Sequence, residues 1–94
     1  MVVKPAVTNR PPITVTESQT VSASEREVIA IHYVNSTAGV GLVRVWNGNA
    51  NETVWLGSNA NGGNDSFTPA QNMKFSKVVV DFVTGTGYVT LLMN

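Results

Sequence analysis

Apolar and polar residues alternate along most of this chain with the period of two that marks a pleated strand. Arg26–Asn35 places Ile29, Ile31 and Tyr33 on one face and Val28, Ala30, His32 and Val34 on the other. Both faces are largely apolar, which predicts a central strand. Residues 40–46 set Val43 and Val45 opposite Leu42, Arg44 and Trp46. Residues 52–57 set Val54 and Leu56 opposite Thr53 and Trp55. The most regular run is 74–83. Phe75, Val79 and Val83 share a parity with Lys77 and Asp81, and Val78, Val80 and Phe82 take the other. Residues 88–93 close the series with Val89, Leu91 and Met93 aligned. Residues 13–16 and 66–69 read as short edge pieces, the second because proline is tolerated at edges.

Turn chemistry separates these runs. Ser36-Thr37-Ala38-Gly39, Asn47-Gly48, the Asn- and Gly-rich stretch 59–65 and Thr84-Gly85-Thr86-Gly87 all punctuate the pattern. No window of 11 or more residues keeps a 3.6-residue spacing, and valine, isoleucine and threonine suit pleated sheets. The expectation is an all-β fold: a β-sandwich, jelly-roll or immunoglobulin-like, of about six to eight antiparallel strands over residues 21–94. Strand parity predicts a core of Ile31, Val43, Val45, Val80, Phe82, Val89 and Leu91.

Residues 1–20 follow a different rule. Pro5, Pro11 and Pro12 remove backbone donors and hold their neighbours extended. This segment reads as an extended N-terminal arm, ordered by contacts with a partner. Val3, Val7, Ile13 and Val15 are its apolar candidates for that contact, and Lys4 and Arg10 could reach acidic groups.

Composition narrows the function. The 94 residues carry six Lys+Arg and six Asp+Glu, for zero formal net charge. That leaves no electrostatic footprint for nucleic acid or an anionic membrane. Charged residues make up 13% of the chain, about half the usual share, and a sparsely charged neutral protein tends to associate. With no cysteine there are no disulfides, thiolate metal sites or thiol nucleophiles. The first residues show no signal-peptide pattern, and no stretch approaches the roughly 20 apolar residues of a membrane span. The three Asn-x-Ser/Thr tripeptides at Asn35, Asn51 and Asn64 are expected by chance in so Asn-, Ser- and Thr-rich a chain.

The candidate chemistry is thin. His32 is the one histidine, and a general base needs a nucleophile and an orienting partner that the sequence does not supply. Its reading is a packing or interface histidine. The 59–65 loop holds Asp65 alone as a carboxylate, too little for calcium. The carboxylates of Glu17, Glu25, Glu27, Glu52, Asp65 and Asp81 suggest no acid/base pair. No enzyme activity, metal or cofactor is expected. Trp46 and Trp55 flank the Asn47-Gly48 turn and could meet across a hairpin. Such a pair serves as a core or subunit anchor, or as a platform for a sugar ring.

The run Ile29-Ala30-Ile31-His32-Tyr33-Val34-Asn35, its small-residue turn and Val43-Arg44-Val45-Trp46-Asn47-Gly48 resemble small all-β virion proteins of tailed bacteriophages. So do the segment from Gly62 to Pro69, Met73-Lys74-Phe75, residues 78–83 and the closing Gly85-Thr86-Gly87 hairpin. The resemblance spans about residues 27–94 and carries no catalytic signature. It implies a capsid decoration, or cement, protein that binds and stabilises the major capsid protein. The alternative is a head-fibre or tail module that binds a carbohydrate or receptor through Trp46 and Trp55. The resemblance further implies a virion location after assembly in the host cytoplasm, and a homo-oligomer, with a trimer as one candidate. No nucleic-acid or membrane partner is expected.

Overall fold

The computed structural model describes residues 11–48, 51–60, 62–69, 71 and 73–94. Nine strands and no helix lie among them: β1 (Ile13–Val15), β2 (Gln19–Ser22), β3 (Arg26–Asn35), β4 (Gly41–Asn47), β5 (Thr53–Asn59), β6 (Asn64–Phe67), β7 (Met73–Phe75), β8 (Val78–Thr84) and β9 (Gly87–Met93). All pairings are antiparallel. The first sheet runs β1-β9-β3-β6, with β7 continuing beside β3 beyond β6; the second runs β2-β8-β4-β5. Only the β4–β5 and β6–β7 connections stay within one sheet. The all-β expectation holds, with one strand more than the pattern suggested.

Both sheets feed one core. Val15, Val28, Ile31, Tyr33, Phe75, Val89, Leu91 and Met93 enter it from the first sheet, and Val43, Val45, Val78 and Val80 from the second. Six of the seven residues that parity placed inside are buried. Phe82 is the exception: it is half-buried, packed on the margin of the core with its ring edge-on to Tyr33 at 6.4 Å.

Two departures from simple alternation explain the residues that parity misjudged. In β3 the register against β9 slips between Val28 and Ala30. The slip resets the alternation, so Val28 points inward and then Ile31, Tyr33 and Asn35 do, while Ile29 is left half-exposed. The second departure divides the expected 74–83 strand. Phe75 and Val78 are both fully buried, yet three residues apart they would face opposite ways in one continuous strand. The chain resolves this by crossing between the sheets at Ser76-Lys77. Ser76 N–H donates to Asn47 Oδ1 at 2.9 Å, and Gly48 N–H to the Lys77 carbonyl at 2.9 Å, which staples the crossing to the end of β4.

The expected boundary between arm and domain at residue 20 falls inside β2. β1 is a three-residue edge strand on β9, and β2 pairs with β8. Residues 1–10 of the expected arm lie outside the described residues.

At one end of the core the side chain of Asn35 is fully buried. Its Nδ2 donates to the carbonyls of Gly39 at 2.8 Å and Asn59 at 2.9 Å, and its Oδ1 accepts from Thr37 N–H at 2.8 Å. One amide thus closes the β3–β4 turn and ties it to the end of β5. Gly41 lies against this corner: a Cβ there would collide with the Tyr33 hydroxyl and stand 2.5 Å from Asn35 Oδ1. Only a glycine lets β4 start so close to β3.

Candidate functional site

The arm residues Val3, Lys4, Val7 and Arg10 lie outside the described residues. The two that are described do not face outward. Val15 is buried in the core and Ile13 packs against it, because β1 takes its register from Leu91 and Val89 of β9.

The two tryptophans do not form a joint platform. Trp55 pairs with Val45 on the core side of β5 and stacks on Phe67 of β6, with centroids 6.2 Å apart at 19°. It bridges the two sheets along that margin. Trp46 follows an irregularity in the β4–β5 register and pairs with Val79, whose neighbours Val78 and Val80 point into the core. Its indole therefore lies on the outer face of the second sheet, but it is covered there, with only 9% of its surface exposed. The Arg44 guanidinium stands 5.5 Å from its ring centroid, a cation–π contact.

Beside Trp46 the outer face is concave. A cavity of about 390 Å³ is lined by Ser18, Gln19, Thr20, Trp46, Lys77 and Asp81, with Val79 and Val80 at its base. β2 supplies the amide and a hydroxyl, β8 the carboxylate, and the crossing after β7 the ammonium group. Ser18 shapes the wall: its hydroxyl donates to Asp81 Oδ1 at 3.0 Å and accepts from Phe82 N–H at 2.8 Å. The carboxylate is thereby held in one orientation. An indole edge beside a fixed carboxylate, an amide and hydroxyls can bind a small polar molecule with an apolar side.

His32 lies on the outer face of the first sheet, in register between Ser66 of β6 and Thr90 of β9. Its Nδ1 is 2.7 Å from Ser66 Oγ, and the next pair along the same row, Thr90 and Thr14, joins its hydroxyls at 3.0 Å. The hydroxyl that sequence could not supply is present, but the row stands on an exposed sheet face, and no carboxylate orients the imidazole among the described residues. The geometry is a cross-strand hydrogen bond between neighbours. Among the described residues, no group of three or more His, Asp or Glu side chains is gathered for a metal ion.

The cavity brings together residues that sequence reading did not connect. Ser18, Gln19 and Thr20 meet Lys77 and Asp81 only because β2 lies next to β8, and strand order leaves no trace in local patterning. Trp46 is the one cavity residue that the sequence marked as a binding candidate. Comparison with known proteins finds no matching family model, no matching curated protein and no matching solved structure.

Proposed function

We propose that the chain is a non-enzymatic virion structural protein of the β-sandwich type, a capsid decoration protein that binds and stabilises a shell of major capsid protein. The resemblance of residues 27–94 to small virion proteins of tailed phages is the starting point. The strand order adds to it: β1-β9-β3-β6 against β2-β8-β4-β5 is the order of a jelly roll, an architecture that serves in viral capsids and in lectins. Fold alone is an analogy, since one architecture hosts many functions. The observation that carries the reading is the surface. Leu56 and Val83 of the second sheet, Tyr88 and Leu92 of the first, and Val40 between β3 and β4 stand exposed on a chain with few charges. On a sparsely charged surface these side chains offer contacts to neighbours in a lattice, where many weak contacts add up.

A second reading rests on a specific feature, the cavity beside Trp46. It suits a saccharide or a similar polyol, with the indole edge as the apolar wall and Asp81 and Gln19 as hydroxyl partners. In this reading Trp46 acts without Trp55.

Co-sedimentation with undecorated phage capsids separates the two. The decoration reading expects saturable binding at a fixed number of copies per capsid, unchanged by Trp46→Ala. A chain that ignores capsids but binds a glycan panel through a Trp46-dependent contact refutes decoration and supports the saccharide site.

A further inference from the structure

An edge strand exposes unpaired backbone N–H and C=O groups, and proteins blunt such edges with short strands, prolines, charges and bulges. Three of the four sheet edges here are blunted. β1 is three residues long and follows Pro11 and Pro12. β2 is four residues long, and its register slips between Thr20 and Ser22. The edge beyond β3 is split into β6 and β7, which carry Asp65 and Lys74, with Pro69 between them.

The fourth edge, β5, is different. It runs for seven residues, contains no charge and no proline, and among the described residues pairs only with β4. Its single irregularity is the extra residue Val54, where Val45 faces Trp55 and Trp46 faces Thr53. Residues 55–59 continue in unbroken register against residues 41–45. Leu56 stands in this stretch, 52% exposed.

We propose that β5 pairs antiparallel with β5 of a second copy about a two-fold axis at Leu56, joining two four-stranded sheets into one. The occupant follows from the edge itself. A neutral strand does not repel its own copy, and a two-fold axis is the symmetry that lets one edge meet itself and close the assembly. The sequence about Leu56 is self-complementary in this register. Leu56 meets Leu56 of the second copy, which covers apolar surface otherwise left in water. Trp55 lies opposite Gly57 of the second copy, where the ring of that copy's own Trp55 already covers the glycine, and Val54 lies opposite Ser58. The pairing rests on the homo-oligomer expected above but not on a capsid partner, so association and capsid binding fail separately.

Light scattering on the chromatographed full chain tests the pairing. The wild type dimerises across a dilution series. Leu56→Lys, which sets two ammonium groups together at the axis, weakens dimerisation by about tenfold or more, with circular dichroism unchanged because the site is exposed. The chain has no cysteine, so Leu56→Cys carries a single thiol. Mild oxidation should link it into a covalent dimer, since directly opposed strand residues lie within disulfide reach. Val83→Cys, on β8 and 40% exposed, stays unlinked under the same oxidant. A wild-type chain that remains monomeric or forms a trimer overturns the pairing. So does a Leu56→Lys variant that associates like the wild type, or equal behaviour of the two cysteine variants.

Discussion

Asn35 and Tyr33 are two residues apart on the core face of β3, and they solve the problem of burying a polar group in opposite ways. The Asn35 amide satisfies three backbone groups across two connections. Asn35→Ala removes the side-chain partner of three part-buried backbone groups, and each one that water cannot reach costs about 1–3 kcal/mol. The expected outcome is a loss of roughly 1–3 kcal/mol in urea unfolding, a large part of a small domain's stability. The same burial removes Asn35 as a glycan acceptor, despite its Asn-Ser-Thr context. The Tyr33 hydroxyl is buried with no hydrogen-bond partner among the described residues, and that desolvation pushes its pKa above the usual 10.0. A raised pKa means that the folded state holds the proton more tightly than the unfolded chain. The contribution of Tyr33 is therefore intact below about pH 10 and is lost as pH rises beyond it. Tyr33→Phe should leave stability at pH 7 unchanged or slightly higher, and should flatten the decline of wild-type stability above pH 10. A variant that tracks the wild type through that range would show the hydroxyl to be solvated. Sequence marked both residues as part of a strand and stopped there. Which of two near-neighbours finds partners depends on the Gly39 and Asn59 carbonyls, and the second of these comes from another strand.

At the scale of elements, the alternation of β4 and β9 was fully legible. Val43 and Val45, and Val89, Leu91 and Met93, take the inward face that the pattern assigned. It failed where the chain steps out of period. The bulge at Val28/Ala30 and the sheet change at Ser76-Lys77 each insert an odd offset, and an apolar residue on either side reads equally well in both registers. The sheet change has an energetic consequence. Phe75 is fully buried at the end of β7, whereas Phe82 lies half-exposed on the core margin. Phe75→Ala should cost roughly 3–5 kcal/mol, the range for a fully buried ring, and Phe82→Ala clearly less. Thermal denaturation of the two variants checks this. A larger loss for Phe82→Ala than for Phe75→Ala would mean that 74–83 packs as the single uninterrupted strand its pattern suggests, with Phe82 inside and Phe75 on the opposite face.

At the scale of the whole molecule, the order of strands decides what sequence could not. The cavity beside Trp46 exists because β2 lies against β8, and the free edge at β5 exists because β4 has β8 on its other side. The same order turns part of the expected arm into the fold. Val15, read as a partner contact, lies against Val89 with only 4% of its surface exposed. This places a limit on any role for the N-terminus in assembly, and truncation locates it. Removing residues 1–10 leaves every described strand intact and should leave the far-ultraviolet spectrum and melting temperature unchanged. If the arm also grips a capsid, the same truncation weakens co-sedimentation at limiting concentration. Removing residues 1–16 takes β1 as well, strips β9 of its outer neighbour and opens the core at Val15. Loss of one buried valine alone costs about 2 kcal/mol, which in a domain of this size lowers the melting temperature by roughly 10 °C. Equal melting temperatures for the two truncations would mean that β1 adds nothing to the fold and that the arm extends through residue 16. A lower melting temperature for the longer truncation only would place the end of the arm before Ile13, with Val15 acting as a core residue.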